Sequence, residues 1–126
     1  MRGADTKQGE MFTLLSPEKR VPKDHPLRLI KQLADEALRQ MSPLFDGMHA
    51  TTGRPSIPPE RLLKSTLLMA LYTVRSERLF CEQLDYNILF RWFLDMNLDE
   101  ESVDHSTFSR NRERLLIHDV AKEFFR

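Results

Sequence analysis

The sequence predicts an all-α fold, a compact bundle of about six helices that includes a helix-turn-helix-like unit. Apolar residues recur at intervals of three and four in several stretches, the signature of one-sided helices. Proline or a capping residue stands where each of those patterns begins, as at Pro26, Pro59, Ser76 and Asp104. No stretch reads convincingly as a strand.

The 126 residues, 40% hydrophobic and 30% charged, suit one globular domain with a single helical core. Residues 1–23 are expected to form a flexible N-terminal arm and residues 24–126 the helical domain. Nineteen basic residues balance nineteen acidic ones, so the whole chain exerts no net pull on nucleic acid and any such binding must come from local asymmetry. The single cysteine, Cys81, excludes an internal disulfide framework and reads as a small buried hydrophobe. Met1 to Glu10 lack the apolar core of a secretory signal, and the run from Ser65 to Val74 is too short to span a bilayer. A cytoplasmic protein without membrane contact is expected.

Taken in order, Met11 to Lys23 reads as an extended arm because Pro17 and Pro22 interrupt it, with Phe12, Leu14 and Leu15 docking on the body. The first helix runs from Pro26 to Met41, with His25 at the cap and Leu27, Ile30, Leu33, Ala34, Ala37, Leu38 and Met41 on its apolar stripe. Ser42 and Pro43 close it. Pro43 to Pro58, with Gly47, Gly53 and Pro55, reads as a loop that Leu44 and Phe45 can pin to the core.

The second helix, Pro59 to Val74, carries Leu62, Leu63, Leu67, Met69, Ala70, Leu71 and Val74 over most of its circumference, with Leu68 and Tyr72 on the remaining face. Such a helix is central, with neighbours on several sides. Ser76 caps a helix reaching Tyr86, with Leu79, Phe80, Gln83 and Leu84 inward. Asn87 breaks it, and Ile88 to Met96 supply Ile88, Leu89, Phe90, Trp92, Phe93 and Leu94, an apolar and aromatic cluster interrupted only by Arg91. Asn97 to Val103, with Asp99, Glu100 and Glu101, reads as a solvated acidic connection. Asp104 caps a helix to Leu116 that sets Phe108 and Leu115 on one side and Ser106, Ser109, Arg110 and Glu113 on the other. A last helix begins near His118 with Val120, Ala121, Phe124 and Phe125. The chain stops at Arg126 within that pattern, as a fragment of a longer protein would.

The adjacent Asp104, His105 and Ser106 do not make a hydrolytic triad, because consecutive helical residues splay about 100° apart and cannot hydrogen-bond in sequence. His25, His49, His105 and His118 lack metal-ligand spacing, and one cysteine cannot build a cysteine-rich zinc site. DNA reading remains. The helices from Ser76, Ile88 and Asp104 form a candidate trihelical unit, with the last entering the major groove by its N-terminal half. Arg110 is the candidate base contact, since its fork matches guanine O6 and N7, with Ser106, Thr107 and Ser109 beside it. Arg112 and Arg114 suit phosphate. A second basic group, Arg54, Arg61, Lys64, Arg75 and Arg78, extends the footprint.

Four motifs occur together: GRPS at Gly53 to Ser56, SER at Ser76 to Arg78, FRWFL at Phe90 to Leu94, and HSTFSRNRERL at His105 to Leu115. Over Phe12 to Phe125 the sequence resembles the N-terminal domain of bacterial insertion-sequence transposases of the InsH-like, DDE kind. The resemblance implies recognition of terminal inverted repeats in double-stranded DNA. It also implies a following ribonuclease-H-like domain whose three acidic residues hold divalent metal for strand cleavage and joining. This chain stops before the first of those acids, so the resemblance implies no cofactor here, no catalytic residue, and binding rather than cutting. Self-association or contact with the catalytic domain is the implied protein partnership. Asp95-Met96-Asn97 stand where the family often has a glycine-containing turn. Two rival readings use the same helix, one as a protein-interaction or dimerisation surface and one as a transcriptional regulator on a cellular operator.

Overall fold

A computed structural model describes residues 16–46, 57–117 and 120–125. They form an all-α structure with no strand among them. Its elements are α1 (Pro17–Arg20), α2 (Pro26–Gln40), α3 (Pro59–Leu71), α4 (Glu77–Gln83), α5 (Ile88–Phe93), α6 (His105–Ile117) and α7 (Val120–Phe124), plus a single helical turn over 42–46. Four of these eight segments have seven or more residues, and the excess over the six foreseen consists of short pieces at α1 and 42–46. Among the described residues no helix is long and apolar enough to cross a membrane.

The described part of the arm is neither extended nor detached. Pro17 opens α1, which Ser16 precedes, and Val21 beyond it is buried. Arg28 of α2 holds this turn in place by donating to the carbonyls of Glu18 (2.9 Å), Val21 (2.7 Å) and Pro22 (2.9 Å) and to the Glu18 carboxylate. The indole Nε1 of Trp92 donates to the other Glu18 oxygen at 2.6 Å, tying α1 to α5. That hydrogen bond, then Arg28, holds the Glu18 carboxyl below its ordinary value. Phe12, Leu14 and Leu15, and the GRPS motif with Arg54, lie outside the described residues.

In α2 the His25 Nδ1 accepts from the Leu27 amide at 3.1 Å, the cap expected before Pro26. Leu27, Ala34, Leu38 and Met41 are buried, whereas Leu33 is 63% exposed. The inward face is therefore narrower than the apolar stripe. In the following turn Phe45 is buried and Leu44 exposed, so Phe45 alone pins this segment.

Helix α3 is central, but its buried side is Leu62, Leu63, Lys64, Ser65, Leu68 and Met69, while Leu71 is exposed. Periodicity cannot choose a face on a helix that is apolar nearly all round. The helix ends at Leu71, before Val74, in a Schellman turn in which the Val74 amide reaches back to the Met69 carbonyl at 2.9 Å. Thr73, at φ 54°, fills the left-handed position. A β-branched residue is strained there by about 1–2 kcal/mol, and glycine's greater freedom in the unfolded chain offsets about half of the relief. Thr73→Gly is expected to raise stability by about 0.5–1 kcal/mol in a thermal melt. A lowered melting midpoint would show that the threonine side chain stabilises the turn.

The second half folds around Arg91, the one charged residue of α5 and itself buried. Its Nε donates to the Leu84 carbonyl and its Nη1 to the Asn97 carbonyl at 2.7 Å, which joins the end of α4 to the turn after α5. That turn is another Schellman motif: the Met96 amide reaches Arg91 at 2.9 Å and the Asp95 amide reaches Trp92 at 3.2 Å. Asp95 takes the left-handed position at φ 57°, so the turn forms without a glycine. Aspartate tolerates this region better than most residues. The Asp95 carboxylate also meets Lys31 at 3.0 Å and Lys64 at 3.3 Å.

Candidate nucleic-acid interface

Helix α6 starts as its sequence demands. The Asp104 carboxylate accepts from the Ser106 amide at 3.1 Å, and the Asp104 carbonyl accepts from the Phe108 amide at 3.0 Å. Phe108, Asn111 and Leu115, spaced at three and four, are the buried residues of its inward face. Asn111 is the polar member of that stripe, and its amide donates to the Thr107 carbonyl at 2.8 Å.

Phe108 lies 5.8 Å from Phe80 of α4, and Phe80 in turn stacks 5.5 Å from Phe90 of α5. Phe80 is fully buried, so one ring carries the contact among three helices. The three elements proposed as a trihelical unit thus share an aromatic core. Helices α4 and α6 pack directly on each other, while α5 also carries Trp92 onto α1.

Steps of about 100° per residue sort the remaining α6 side chains into a face and a flank. Ser106, Arg110, Glu113 and Arg114 fall on the outward face and are exposed. Thr107 is half-buried on one side of it. On the other side, Ser109 and Arg112 turn toward α4. Ser109 Oγ donates to Glu77 Oε1 at 3.0 Å, and Arg112 Nη1 lies 3.3 Å from Glu77 Oε2. Glu77, the middle residue of the SER motif, was not among the candidate site residues read from the sequence. The available signal was Ser76, whose hydroxyl accepts from the Leu79 amide at 3.2 Å and so fixes Glu77 as the first residue of α4.

Arg75 and Arg78 flank Glu77 and are exposed. Two other members of the second basic group are engaged elsewhere. Arg61 pairs with Glu100 at 3.1 Å, which also shows that the acidic connection is partly tied down. Lys64 is only 3% exposed and pairs with Asp35 at 2.7 Å, with its ammonium 5.2 Å from the Phe93 ring centre. It belongs to the interior, where Lys31 also meets Asp35 at 2.9 Å.

Cys81 is buried and its thiol is pushed up to about 11, by burial first and then by the carboxylates of Glu77, Asp104 and Asp85. A thiol so disposed stays protonated at neutral pH and is a poor nucleophile. Among the described residues no three His, Cys, Asp or Glu side chains gather in a way that could hold a metal ion.

Comparison with known proteins adds the family. No curated protein and no solved structure matches the chain. Residues 15–114 match the family model described as Transposase domain (DUF772), a span that takes in α1 to α5 and the exposed arginines of α6. With more than three quarters of its length inside that match, the chain belongs to the DUF772 transposase domain family.

Proposed function

We propose that this chain is the DNA-binding module of a transposase and recognises the terminal inverted repeats of a mobile element in double-stranded DNA. The observation that carries the reading is the outward face of α6, where Ser106, Arg110 and Arg114 are exposed on a helix held from behind by Phe108, Asn111 and Leu115. A helix so held can enter a major groove without rearrangement of its backing, with Arg110 placed for a guanine edge and Arg114 for phosphate. Arg75 and Arg78, exposed at the start of the helix that packs on α6, would reach the adjacent backbone. Helices α4, α5 and α6 then act as the helix-turn-helix-like unit. Because the chain as a whole is neutral, this local face must supply the attraction. Strand cleavage and its metal belong, in this reading, to the catalytic domain with which the module would work.

Arg110→Ala tests the assignment. If Arg110 reads a base, the variant loses about 1–3 kcal/mol of preference for the repeat over a duplex changed at the contacted position. Fluorescence anisotropy with both duplexes measures that difference. An equal loss on both duplexes would make Arg110 a phosphate contact, and no loss on either would remove α6 from the interface.

A further inference from the structure

We infer that Glu77 is a specificity-determining residue: it withholds Arg112 and Ser109 from DNA phosphates and so limits sequence-independent binding. The inference rests on the reading of α6 as the DNA-contacting helix and adds a device at its edge. Four of the polar residues proposed to contact DNA lie on this side of the module, namely Ser109, Arg112, Arg75 and Arg78, yet a single carboxylate takes two of them. Glu77 Oε1 accepts from Ser109 Oγ at 3.0 Å, and Oε2 sits 3.3 Å from Arg112 Nη1. Both side chains of the ion pair are near three-tenths exposed although Glu77 Oε2 itself is buried, so an approaching phosphate would compete for Arg112 from the exposed part of its side chain.

The pair is also imperfect. Glu77 Oε2 makes no hydrogen bond despite its closeness to Arg112, and Arg112 Nε is buried without one. A well-aligned fork would engage both carboxylate oxygens with two parallel bonds; here Ser109 holds one oxygen and Arg112 meets the other at one nitrogen. Such a half-buried, single-contact pair neutralises a charge without the alignment of a two-bond fork. Sequence-independent affinity for DNA is set by the number of phosphates that cations neutralise, with a salt slope of about 0.9 per phosphate. A pre-neutralised Arg112 subtracts from that number on every sequence alike. Base contacts by Arg110 on the outward face are untouched, so the ratio of specific to general binding rises.

Glu77→Gln keeps the shape and the acceptor for Ser109 while removing the charge that holds Arg112. Glu82→Gln, which neutralises an exposed acid on the same helix as Glu77 and away from the outward face of α6, is the charge-matched control. On a mixed-sequence duplex, Glu77→Gln is expected to steepen the salt slope by about 0.9, equivalent to about a threefold to fourfold greater loss of affinity from 50 to 200 mM salt. The control should change it by much less. The double variant Glu77→Gln, Arg112→Gln should return to the wild-type slope. Phenylglyoxal labelling read by mass spectrometry follows the same pair without DNA: Arg112 should react more slowly than Arg110 in the wild type and catch up in Glu77→Gln.

No gain on the mixed duplex for Glu77→Gln, or a gain matched by the control, overturns the inference whether or not the wild type binds. So does a double variant with a shallower slope than wild type, which would show Arg112 already on phosphate, and that arm stands even if the single variant fails to fold. Wild-type protein that prefers no duplex overturns the inverted-repeat reading instead. The gain from Glu77→Gln and its cancellation in the double variant can still be measured in that case.

Discussion

Phe80→Ala is expected to cost about 3–5 kcal/mol, the range for removing a fully buried aromatic ring. Phe80 is the contact shared by Phe90 of α5 and Phe108 of α6, so the cavity would open where three helices meet. Natural domains hold a total stability of about 5–15 kcal/mol, and a loss of this size would leave much of the reserve gone. Urea denaturation followed by circular dichroism measures it. A midpoint within error of the wild type would mean that α4, α5 and α6 do not depend on this ring. Because Phe108 packs on it, α6 would also be the first helix to lose its seating, and any DNA preference should weaken together with stability.

The interior charges give the other large effect. Lys64 is almost wholly buried against Asp35, and its remaining carboxylate, Asp95, is 3.3 Å away and 66% exposed on its side chain. Asp35→Ala is expected to cost about 2–4 kcal/mol, near the lower part of the range for stranding a buried charge because Asp95 still serves Lys64 in part. Burial favours the neutral Asp35 carboxyl, but the hydrogen bonds from Lys64 and Lys31 outweigh it and hold its pKa below the ordinary 3.8. A depressed carboxyl stabilises the fold above its ordinary value, and that contribution disappears as pH falls through the folded value. Stability should therefore drop on acidification below about pH 4, and the drop should be smaller in Asp35→Asn. Glu18 adds to the acid loss in the same direction.

Lys31 works at the opposite edge. Burial disfavours its charge, yet the hydrogen bonds to Asp35 and Asp95 raise its pKa above 10.5. Its contribution is complete below that value and is lost as pH rises through the folded value. Equal acid sensitivity in wild type and Asp35→Asn would show that this network does not set the acid limit.

Local signals in the sequence were sufficient for the elements near the candidate site. The caps at His25, Ser76 and Asp104 each close the expected hydrogen bond, and Asn87, read only as a break, caps α5 by accepting from the Phe90 amide at 3.0 Å. Phe108 and Leu115 face inward as their spacing requires. What was not legible depended on partners far along the chain. Lys64 looks like a surface cation, because a lysine is rarely buried without a partner, and its partners are 29 and 31 residues away. Leu33 and Leu71 obey helical periodicity and still stay exposed, since a stripe says where apolar residues lie but not how wide the neighbouring surface is. The one-turn helix α1 was hidden by Pro17, which starts it, and Pro22, which lies just beyond it. The same limit applies to Ser109 and Arg112: their helix position was readable, while Glu77, 32 residues from Ser109, was not.

In the proposed function, α6 gives a neutral chain a preference for particular DNA. That preference is tested most directly by measuring binding to a duplex carrying the element's terminal repeat against a scrambled duplex of equal length and composition, across a salt series. Tighter binding to the repeat is expected at every salt concentration, with the preference surviving as salt weakens both complexes. Equal and feeble binding to the two duplexes would contradict it.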